Sequence, residues 1–239
     1  MELHYYDSLP STMDVAREAA QAGAKHLYTV IAKTQSAGRG RLDRQFFSPV
    51  GGLYVTTVLR TGLSPTEYGA VTPCAAVCVM RAIKAVCGVS PRIKWVNDLL
   101  LDGKKICGIL TQSGVDQSGV PYLLLGIGIN LGGIAFPPEL CEIAGAVPCT
   151  DKEKLLGGIL RELSSLESDV RSASWLADYK HACAVLSREV KLIENERQKK
   201  VFVLDILPNG ALFVQNEDGK REEISSGEIT LRLTRSEQK

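Results

Sequence analysis

A segment rich in glycine and arginine is the part of this sequence best suited to chemistry. It reads Gly38-Arg39-Gly40-Arg41-Leu42-Asp43-Arg44, and it follows a predicted strand that ends near Gln35. Glycine lets the backbone approach a ligand closely, and guanidinium groups bind phosphate oxygens in bidentate fashion. The segment therefore suits a polyphosphate or a phosphoanhydride. A solvated basic turn is the alternative that composition leaves open.

The usual phosphate-binding motifs are absent from the sequence. No Gly-x-x-x-x-Gly-Lys-Ser/Thr pattern occurs, and Gly126-Ile127-Gly128 lacks both the third glycine and the following helix of a dinucleotide-binding fingerprint. The ordinary nucleotide-binding folds are therefore disfavoured.

A second polar cluster reads Lys94-Trp95-Val96-Asn97-Asp98 and is followed by Asp102-Gly103-Lys104-Lys105. A lysine at a strand end can neutralise phosphate charge, and a nearby aspartate can bind Mg²⁺ or orient a polar substrate. The Asp-Gly-Lys-Lys sequence is also a good hairpin turn with solvated lysines. Both interpretations stay open at this point.

The charge balance argues against a nucleic-acid or membrane partner. The 239 residues include 28 Lys and Arg against 27 Asp and Glu, a net charge of +1 that creates no global field. The longest apolar stretch, at 69–80, is shorter than the roughly 20 residues of a membrane span, and the N-terminus lacks a signal-peptide pattern. We therefore expect a cytoplasmic protein.

Cysteine and histidine spacing gives no indication of a metal centre. Seven cysteines are present, most within apolar runs, and no pair has zinc-knuckle spacing. His4, His26 and His181 are isolated from one another. The sequence predicts buried free thiols and no histidine-bound metal.

The elements that must position these residues follow from periodicity and capping signals. Ser11 with Asp14 is a capping box for a helix that ends near Ala22, and Ser64 precedes a core helix that reaches Val86. Strands are predicted at 28–34, 53–59, 93–95, 99–102, 105–112 and 121–130. The fold class is α+β, with a mixed, mostly antiparallel sheet packed with helices.

The last part of the chain changes pattern. Helices are predicted at 152–170 and 174–186, followed by strands at 189–194, 200–207 and 210–215 and two more by Leu233. Asn209-Gly210 is the strongest hairpin signal in the chain. The sequence therefore predicts a large domain over 1–186 and a small β-barrel domain over 187–239.

These segments occur together, and in the same order, in biotin protein ligases, which the chain resembles over nearly its whole length. The Gly-Arg-Gly-Arg and Lys-Trp-x-Asn-Asp combination is specific for that family. Met13 and Val96 depart from it, because asparagine and proline are usual there. The remaining segments that carry the resemblance are Ser11-Thr12, Gln35, Phe47-Ser48-Pro49, Lys105 with Gly108-Ile109-Leu110, Gly126 to Asn130, and Ser226-Gly227-Glu228.

The resemblance implies a class II synthetase-like ligase domain, an SH3-like C-terminal barrel, and an enzyme that makes biotinyl-AMP from biotin and ATP with Mg²⁺. Biotin would then be transferred to a lysine of the carrier domain of a biotin-dependent carboxylase. Catalysis is expected from Arg41, Lys105 and Asp98, of which Asp98 would orient the amine or the metal. The resemblance places biotin against Ser11, Thr12, Gln35, Gly38 and Arg39. It places the phosphates against Arg39, Arg41, Arg44 and Lys105, and adenosine against Phe46 and Asn130. Other ligand contacts are expected at Lys94, Trp95, Asn97 and Gly108.

Two other interpretations compete with this one. A lipoate-protein ligase or octanoyltransferase shares the architecture, but the arginine-rich segment and the C-terminal β-module favour biotin. A repressor role would need a DNA-binding helix-turn-helix, and Ser11-Thr12 starts too early to leave room for one. Helix capping is an alternative role for Ser11 and Thr12, and a homodimer through a sheet edge stays open.

Overall fold

A computed structural model describes residues 1–42, 44–194 and 197–230. A seven-stranded sheet dominates the first part, in the order β1-β2-β3-β7-β6-β5-β4. Its strands are β1 (Glu2–Leu9), β2 (Tyr28–Gln35), β3 (Leu53–Leu59), β4 (Arg92–Lys94), β5 (Asp98–Leu101), β6 (Lys104–Val115) and β7 (Pro121–Ile129). Only β1 and β2 pair in parallel, so the predicted mixed, mostly antiparallel sheet is confirmed.

The edge strand β1 was missed by the sequence analysis. Most of its side chains are exposed or half-buried, including Leu3 and Tyr5. A strand that buries neither face lacks the apolar alternation by which strands are recognised.

Helix α1 (Thr12–Gln21) lies on one face of the sheet, where Val30 and Leu124 pack against it. The Ser11 hydroxyl accepts a hydrogen bond from the Met13 N–H at 3.3 Å, which confirms the N-cap. The carboxylate of Asp14 contacts Arg17 and Arg39 instead of completing the predicted capping box.

Helix α2 (Tyr68–Cys87) is the core helix on the other face of the sheet. It ends at Gly88 (φ 72°) as predicted, but it begins at Tyr68, after a turn in which the Glu67 carboxylate accepts hydrogen bonds from Ser64. Within the described part of the chain, α2 is the one helix long and apolar enough to span a membrane, and most of it is buried inside the protein.

The helix predicted at 152–170 is divided into two helices in the structure. The chain forms α3 (Lys152–Leu163), α4 (Leu166–Ser172) and α5 (Leu176–Ala182). The hydroxyls of Ser164 and Ser165 donate to the carbonyls of Arg161 and Glu162, at 2.6 and 3.1 Å. Such side-chain bonds compete with helical ones, so the helix breaks there.

A second, five-stranded sheet follows, which we call the C-terminal sheet. It is antiparallel throughout, in the order β11-β10-β9-β8-β12, as its strand pairings give. The strands are β8 (Glu189–Glu194), β9 (Arg197–Ile206), β10 (Leu212–Asn216), β11 (Arg221–Ile224) and β12 (Glu228–Thr230). The predicted hairpin at Asn209-Gly210 is confirmed, whereas residues 231–233 of the last predicted strand lie outside the described residues. The boundary at 186 and the closure into an SH3-like barrel stay predictions.

All seven cysteines are free. Four are buried, as predicted, and burial raises the pKa of the Cys107 and Cys183 thiols. Cys141 is exposed, contrary to the prediction, because it lies in the irregular segment after β7.

Candidate active site

A cavity of about 150 Å³ lies between the start of α1, the middle of the large sheet and the arginine-rich segment. We call it the inner cavity, and we call residues 38–42 and 44–46 the arginine loop. The lining of the inner cavity combines a polar end, apolar walls and a cationic rim. It includes Ser11, Thr12, Met13, Gln35, Arg39, Arg41, Arg44, Phe46, Val55, Thr56, Lys94, Trp95, Asn97, Asp98, Lys105, Gly108, Ile109, Leu110, Ile127 and Glu228.

The polar end is a buried hydrogen-bond array around Thr12 and Gln35. The Thr12 N–H and hydroxyl donate to Gln35 Oε1, at 2.8 and 3.1 Å, and Gln35 Nε2 donates to the Ser48 hydroxyl at 2.9 Å. Thr12 Oγ1 is also 2.8 Å from Thr56 Oγ1. Ser11 caps α1 while it lines the cavity, so capping and ligand contact are compatible. The array suits a ligand group that carries both donors and acceptors.

Glycines on β6 and β7 shape the walls. A Cβ atom at Gly128 would lie 2.6 Å from Phe46 Cε1, and one at Gly108 would lie 3.0 Å from Phe46 Cε2, so the aromatic ring fits against bare backbone. Met13 is buried, and its sulfur would lie 2.8 Å from a Cβ atom at Gly126. The unusual methionine thus adds apolar surface beside the polar end.

The arginine loop folds back on itself over the cavity. The Phe46 N–H donates to the Gly38 carbonyl at 2.9 Å, and the Gly40 N–H donates to the Arg44 carbonyl at 2.7 Å. A Cβ atom at Gly38 would lie 2.5 Å from the Phe46 carbonyl oxygen, so this close approach requires glycine. Gly38 shapes the loop but is not among the lining residues, and its predicted biotin contact stays a prediction.

The three arginines of the loop are held by partners on other elements. Arg39 pairs with Asp14 at 2.9 Å, and Arg44 forms a two-bond ion pair with Glu228. Arg41 donates to Asn97 Oδ1 at 3.2 Å and to the Gly227 carbonyl at 3.0 Å. The side chains of Arg39 and Arg44 stay 49% and 65% exposed, so the segment is partly solvated, but each arginine has a partner on another element.

The β5–β6 hairpin carries a second cationic group into the site. Asp102 (φ 50°) and Gly103 (φ 76°) form the predicted turn. Lys104 is held at the surface, where it donates to the Cys141 carbonyl at 2.7 Å. Lys105 instead points into the site, with its Nζ 2.7 Å from Asp98 Oδ1 and 5.8 Å from the centre of the Phe46 ring. Lys105 is therefore ion-paired at the site, although 37% of its side chain stays exposed to solvent.

A larger outer cavity of about 620 Å³ adjoins the inner one. The two share Arg44, Gln45, Phe46, Lys94, Asp98, Lys105 and Glu228. The outer cavity adds Asn130, whose side-chain amide donates to the Lys105 and Gly145 carbonyls at 3.3 and 3.0 Å. Its other walls include the apolar side chains of Leu100, Phe136, Leu140 and Ile143.

The structure brings the predicted residues together around these two cavities, apart from Gly38. Sequence reasoning missed Thr56, Glu228 and the apolar trio Phe136, Leu140 and Ile143. The Ser226-Gly227-Glu228 segment was a usable signal for Glu228. The trio lies in a segment without regular secondary structure, where no periodicity marks it.

Comparisons with known proteins show the family of this chain. Residues 5–130 match the model of the biotin/lipoate A/B protein ligase family, which is more than half of the chain. The chain therefore belongs to the biotin/lipoate A/B protein ligase family.

Individual relatives give the same picture. The chain is 37% identical, over 64% of its length and 48% of the relative's, to the bifunctional ligase/repressor BirA of Bacillus spizizenii. It is 40% identical, over 44% of each chain, to the biotin--[acetyl-CoA-carboxylase] ligase of Paracoccus denitrificans. The chain thus spans about half the length of these relatives or less.

The fold is shared with a solved structure. Biotin protein ligase from Aquifex aeolicus, in complex with biotin and ATP, superposes with a TM-score of 0.81. The sequences are 24% identical, and the alignment covers 98% of this chain and 99% of that one.

Proposed function

We propose that this protein is a biotin protein ligase. It would activate biotin with ATP as biotinyl-AMP and transfer the biotinyl group to a lysine of the carrier domain of a biotin-dependent carboxylase. The observation that carries the proposal is the inner cavity, in which a buried donor and acceptor array, an apolar wall and a cationic rim follow one another. Biotin has the same sequence of properties: a ureido head, an apolar bicycle with its chain, and a carboxylate.

The head of biotin fits the polar end. A ureido group has two N–H donors and one carbonyl acceptor, which Gln35, Thr12 and Ser11 can satisfy. Apolar walls with a few placed polar groups are typical of small-molecule sites. The carboxylate then extends toward the rim formed by Lys105 and the arginine loop.

In the first half-reaction a carboxylate oxygen of biotin attacks the α-phosphorus of ATP. A carbon–oxygen–phosphorus anhydride forms, the bond from the α-phosphorus to the bridging oxygen breaks, and pyrophosphate leaves. The substrate is its own nucleophile, so the protein must mainly orient the reactants and stabilise negative charge. Arg39, Arg41, Arg44 and Lys105 are the groups suited to that task.

Nucleotide binding is assigned to the outer cavity. Its apolar side chains can pack against a purine, and the groups that both cavities share would face the phosphates. Within the described residues, no group of three or more His, Cys, Asp and Glu could hold a metal ion. Mg²⁺ would bind with the ATP phosphates, with Asp98 and Glu228 as nearby carboxylates, and would supply charge neutralisation there.

In the second half-reaction the neutral amine of the acceptor lysine attacks the carbonyl carbon. An amide bond forms, the carbon–oxygen bond to AMP breaks, and the proton lost from the nitrogen passes to the leaving phosphate or to solvent. Asp98 is the carboxylate suited to orient that amine. The arginine loop would cover the anhydride and keep it from water and from other lysines.

The rival substrate is lipoate, because the same family also includes lipoate ligases. Its dithiolane ring has no group that can donate to or accept from Thr12 and Gln35 as a ureido does. A buried polar site rejects an analogue that leaves its hydrogen bonds unmade. The polar end therefore favours biotin, as do the names of the relatives.

The test is exchange of labelled pyrophosphate into ATP by the purified protein with Mg²⁺. We expect exchange that depends on added biotin and is not supported by lipoate. Exchange with lipoate alone would support the rival, and its absence with both acids would overturn the proposal.

A further inference from the structure

The turn between β9 and β10 is fitted closely against the first turn of α2. Gly210 (φ 85°) has its Cα so near to α2 that an added Cβ would lie 2.6 Å from the Gly69 carbonyl oxygen and 2.9 Å from Pro73 Cγ. Conversely, a Cβ at Gly69 would lie 2.8 Å from the Asn209 carbonyl oxygen. Only hydrogen atoms fit at both glycines, so the position of the C-terminal sheet on α2 is narrowly determined.

Trp95 connects this turn to the active site. Its side chain is buried, and its indole N–H donates to the Gly210 carbonyl at 2.9 Å. Trp95 belongs to the segment 94–98, of which every residue except Val96 lines the inner cavity. The wall that carries Asp98 is therefore attached from behind to the C-terminal sheet.

The same sheet reaches the opposite side of the cavity. There the Gly227 carbonyl accepts from Arg41, and Glu228 pairs with Arg44. One sheet thus contacts segment 94–98 through its β9–β10 turn and the arginine loop through the start of β12. Catalytic groups tolerate displacements of well under 1 Å, so a body that touches both walls can determine their separation.

We infer that Trp95 is a positioning residue. Through it, the β9–β10 turn of the C-terminal sheet holds segment 94–98 in place, and this keeps Asp98 next to Lys105. The kinetic part of this inference rests on the proposed function. Its structural part does not, because the packing of the turn, the indole and the segment is independent of the reaction.

Gly210→Ala is the sharpest variant, because Gly210 is not a lining residue and can act on the site only through its neighbours. The added methyl group must push the turn away from Gly69 and Pro73. Gly219→Ala is the matched control, since Gly219 lies in the β10–β11 turn of the same sheet with a similar φ of 82°, and its Cβ would have no neighbour nearer than 3.8 Å. Both variants carry the same left-handed backbone penalty, and only one disturbs the contact.

Trp95→Phe tests the hydrogen bond itself. Phenylalanine keeps most of the ring but cannot donate, which leaves the Gly210 carbonyl without its partner. For both Gly210→Ala and Trp95→Phe we expect kcat for biotin-dependent pyrophosphate exchange to fall about tenfold or more. In Gly210→Ala the KM for biotin should change less than about twofold, because Gly210 lines neither cavity and the polar end lies on other elements. Trp95 itself lines the inner cavity, so the KM of Trp95→Phe does not test the positioning role.

Amide hydrogen exchange, followed by mass spectrometry on peptides that cover 92–100, provides a readout independent of activity. We expect faster exchange there in Gly210→Ala and Trp95→Phe than in the wild type, and no change in Gly219→Ala. Equal exchange in Gly210→Ala and Gly219→Ala would overturn the positioning role, whatever the activity. Faster exchange with an unchanged kcat per folded molecule would overturn the kinetic part alone, and a wild type inactive with biotin would count against the proposed function.

Discussion

Lys105 Nζ and Asp98 Oδ1 lie 2.7 Å apart where the inner and outer cavities meet. Lys105 stands at the start of β6 and Asp98 at the start of β5, so the Asp102-Gly103 turn brings them together. A phosphate group at this junction would compete with Asp98 for the ammonium group. Release of the carboxylate from Lys105 would then leave it available to an incoming amine.

Lys105→Ala should reduce biotinyl-AMP formation by about a hundredfold or more, because it removes a cation aimed at the charge that develops on the phosphates. The measurement is single-turnover formation of the adenylate from biotin and labelled ATP. Lys104→Ala is the control, since its ammonium group binds the Cys141 carbonyl and lines neither cavity. Equal losses in the two variants would contradict the assignment.

Thr12→Val should raise the KM for biotin roughly ten- to a hundredfold, the equivalent of losing about 1–3 kcal/mol of hydrogen bonding in a buried site. Thr29→Val is a matched control. Thr29 and Thr57 form a buried hydroxyl pair at 3.1 Å between the same two strands as Gln35 and Thr56, but outside the cavity. Thr29→Val should lose stability and keep the wild-type KM for biotin. A raised KM in Thr29→Val together with an unchanged KM in Thr12→Val would argue against a ureido contact at Thr12.

Arg41→Gly should release biotinyl-AMP into solution, because the loop loses its bonds to Asn97 and Gly227. A lost charge-assisted contact of about 1.5–3 kcal/mol corresponds to roughly ten- to a hundredfold weaker retention. Biotinylation of serum albumin added as a bystander measures the leak. Arg41→Lys keeps the charge without the two-pronged geometry and should leak to an intermediate extent. Strict acceptor selectivity in Arg41→Gly would refute the covering role of the loop.

Gly128→Ala should raise the KM for ATP by about tenfold, because the new methyl group displaces the Phe46 ring that lines both cavities, and such overpacking typically costs about 1–3 kcal/mol. Gly157→Ala in α3 has open space around it and is the control. It should leave the kinetics unchanged and stabilise the fold by up to about 1 kcal/mol. A normal KM in a fully folded Gly128→Ala protein would count against the role of Phe46.

Asp116 should make stability fall in acid. The Val120 N–H bond is the largest cause that lowers its pKa below the ordinary 3.8, and the Arg60 and Ser118 bonds lower it further. A lowered pKa contributes stability that is complete above pH 3.8 and is lost as pH falls through the lowered value. Thermal unfolding from pH 7 to pH 2 should show wild type and Asp116→Asn converging in acid. A constant difference between them would exclude this linkage.

Secondary structure followed from the sequence wherever a strand or helix buries at least one face. The strand 53–59, which is buried on both faces, and the strand 189–194 were predicted at the bounds that the structure has. The edge strand β1 and the break between α3 and α4 were not, because the first buries too little and the second depends on two serine hydroxyls that bind the backbone.

The candidate site, too, was predictable from the sequence only in part. The sequence by itself determined which groups could act, since the arginine loop already indicated a phosphoanhydride, and the order of Ser11-Thr12, the arginine loop and segment 94–98 carried the resemblance that implied biotin. Tertiary structure alone decided which of them meet: that Lys105 and not Lys104 faces Asp98, and that the arginines are held by Asp14, Asn97 and the C-terminal sheet. The reason is physical. Composition and local spacing fix the chemistry of each group, whereas a contact between residues as distant in the chain as Arg44 and Glu228 arises only when the packing of whole elements brings them together.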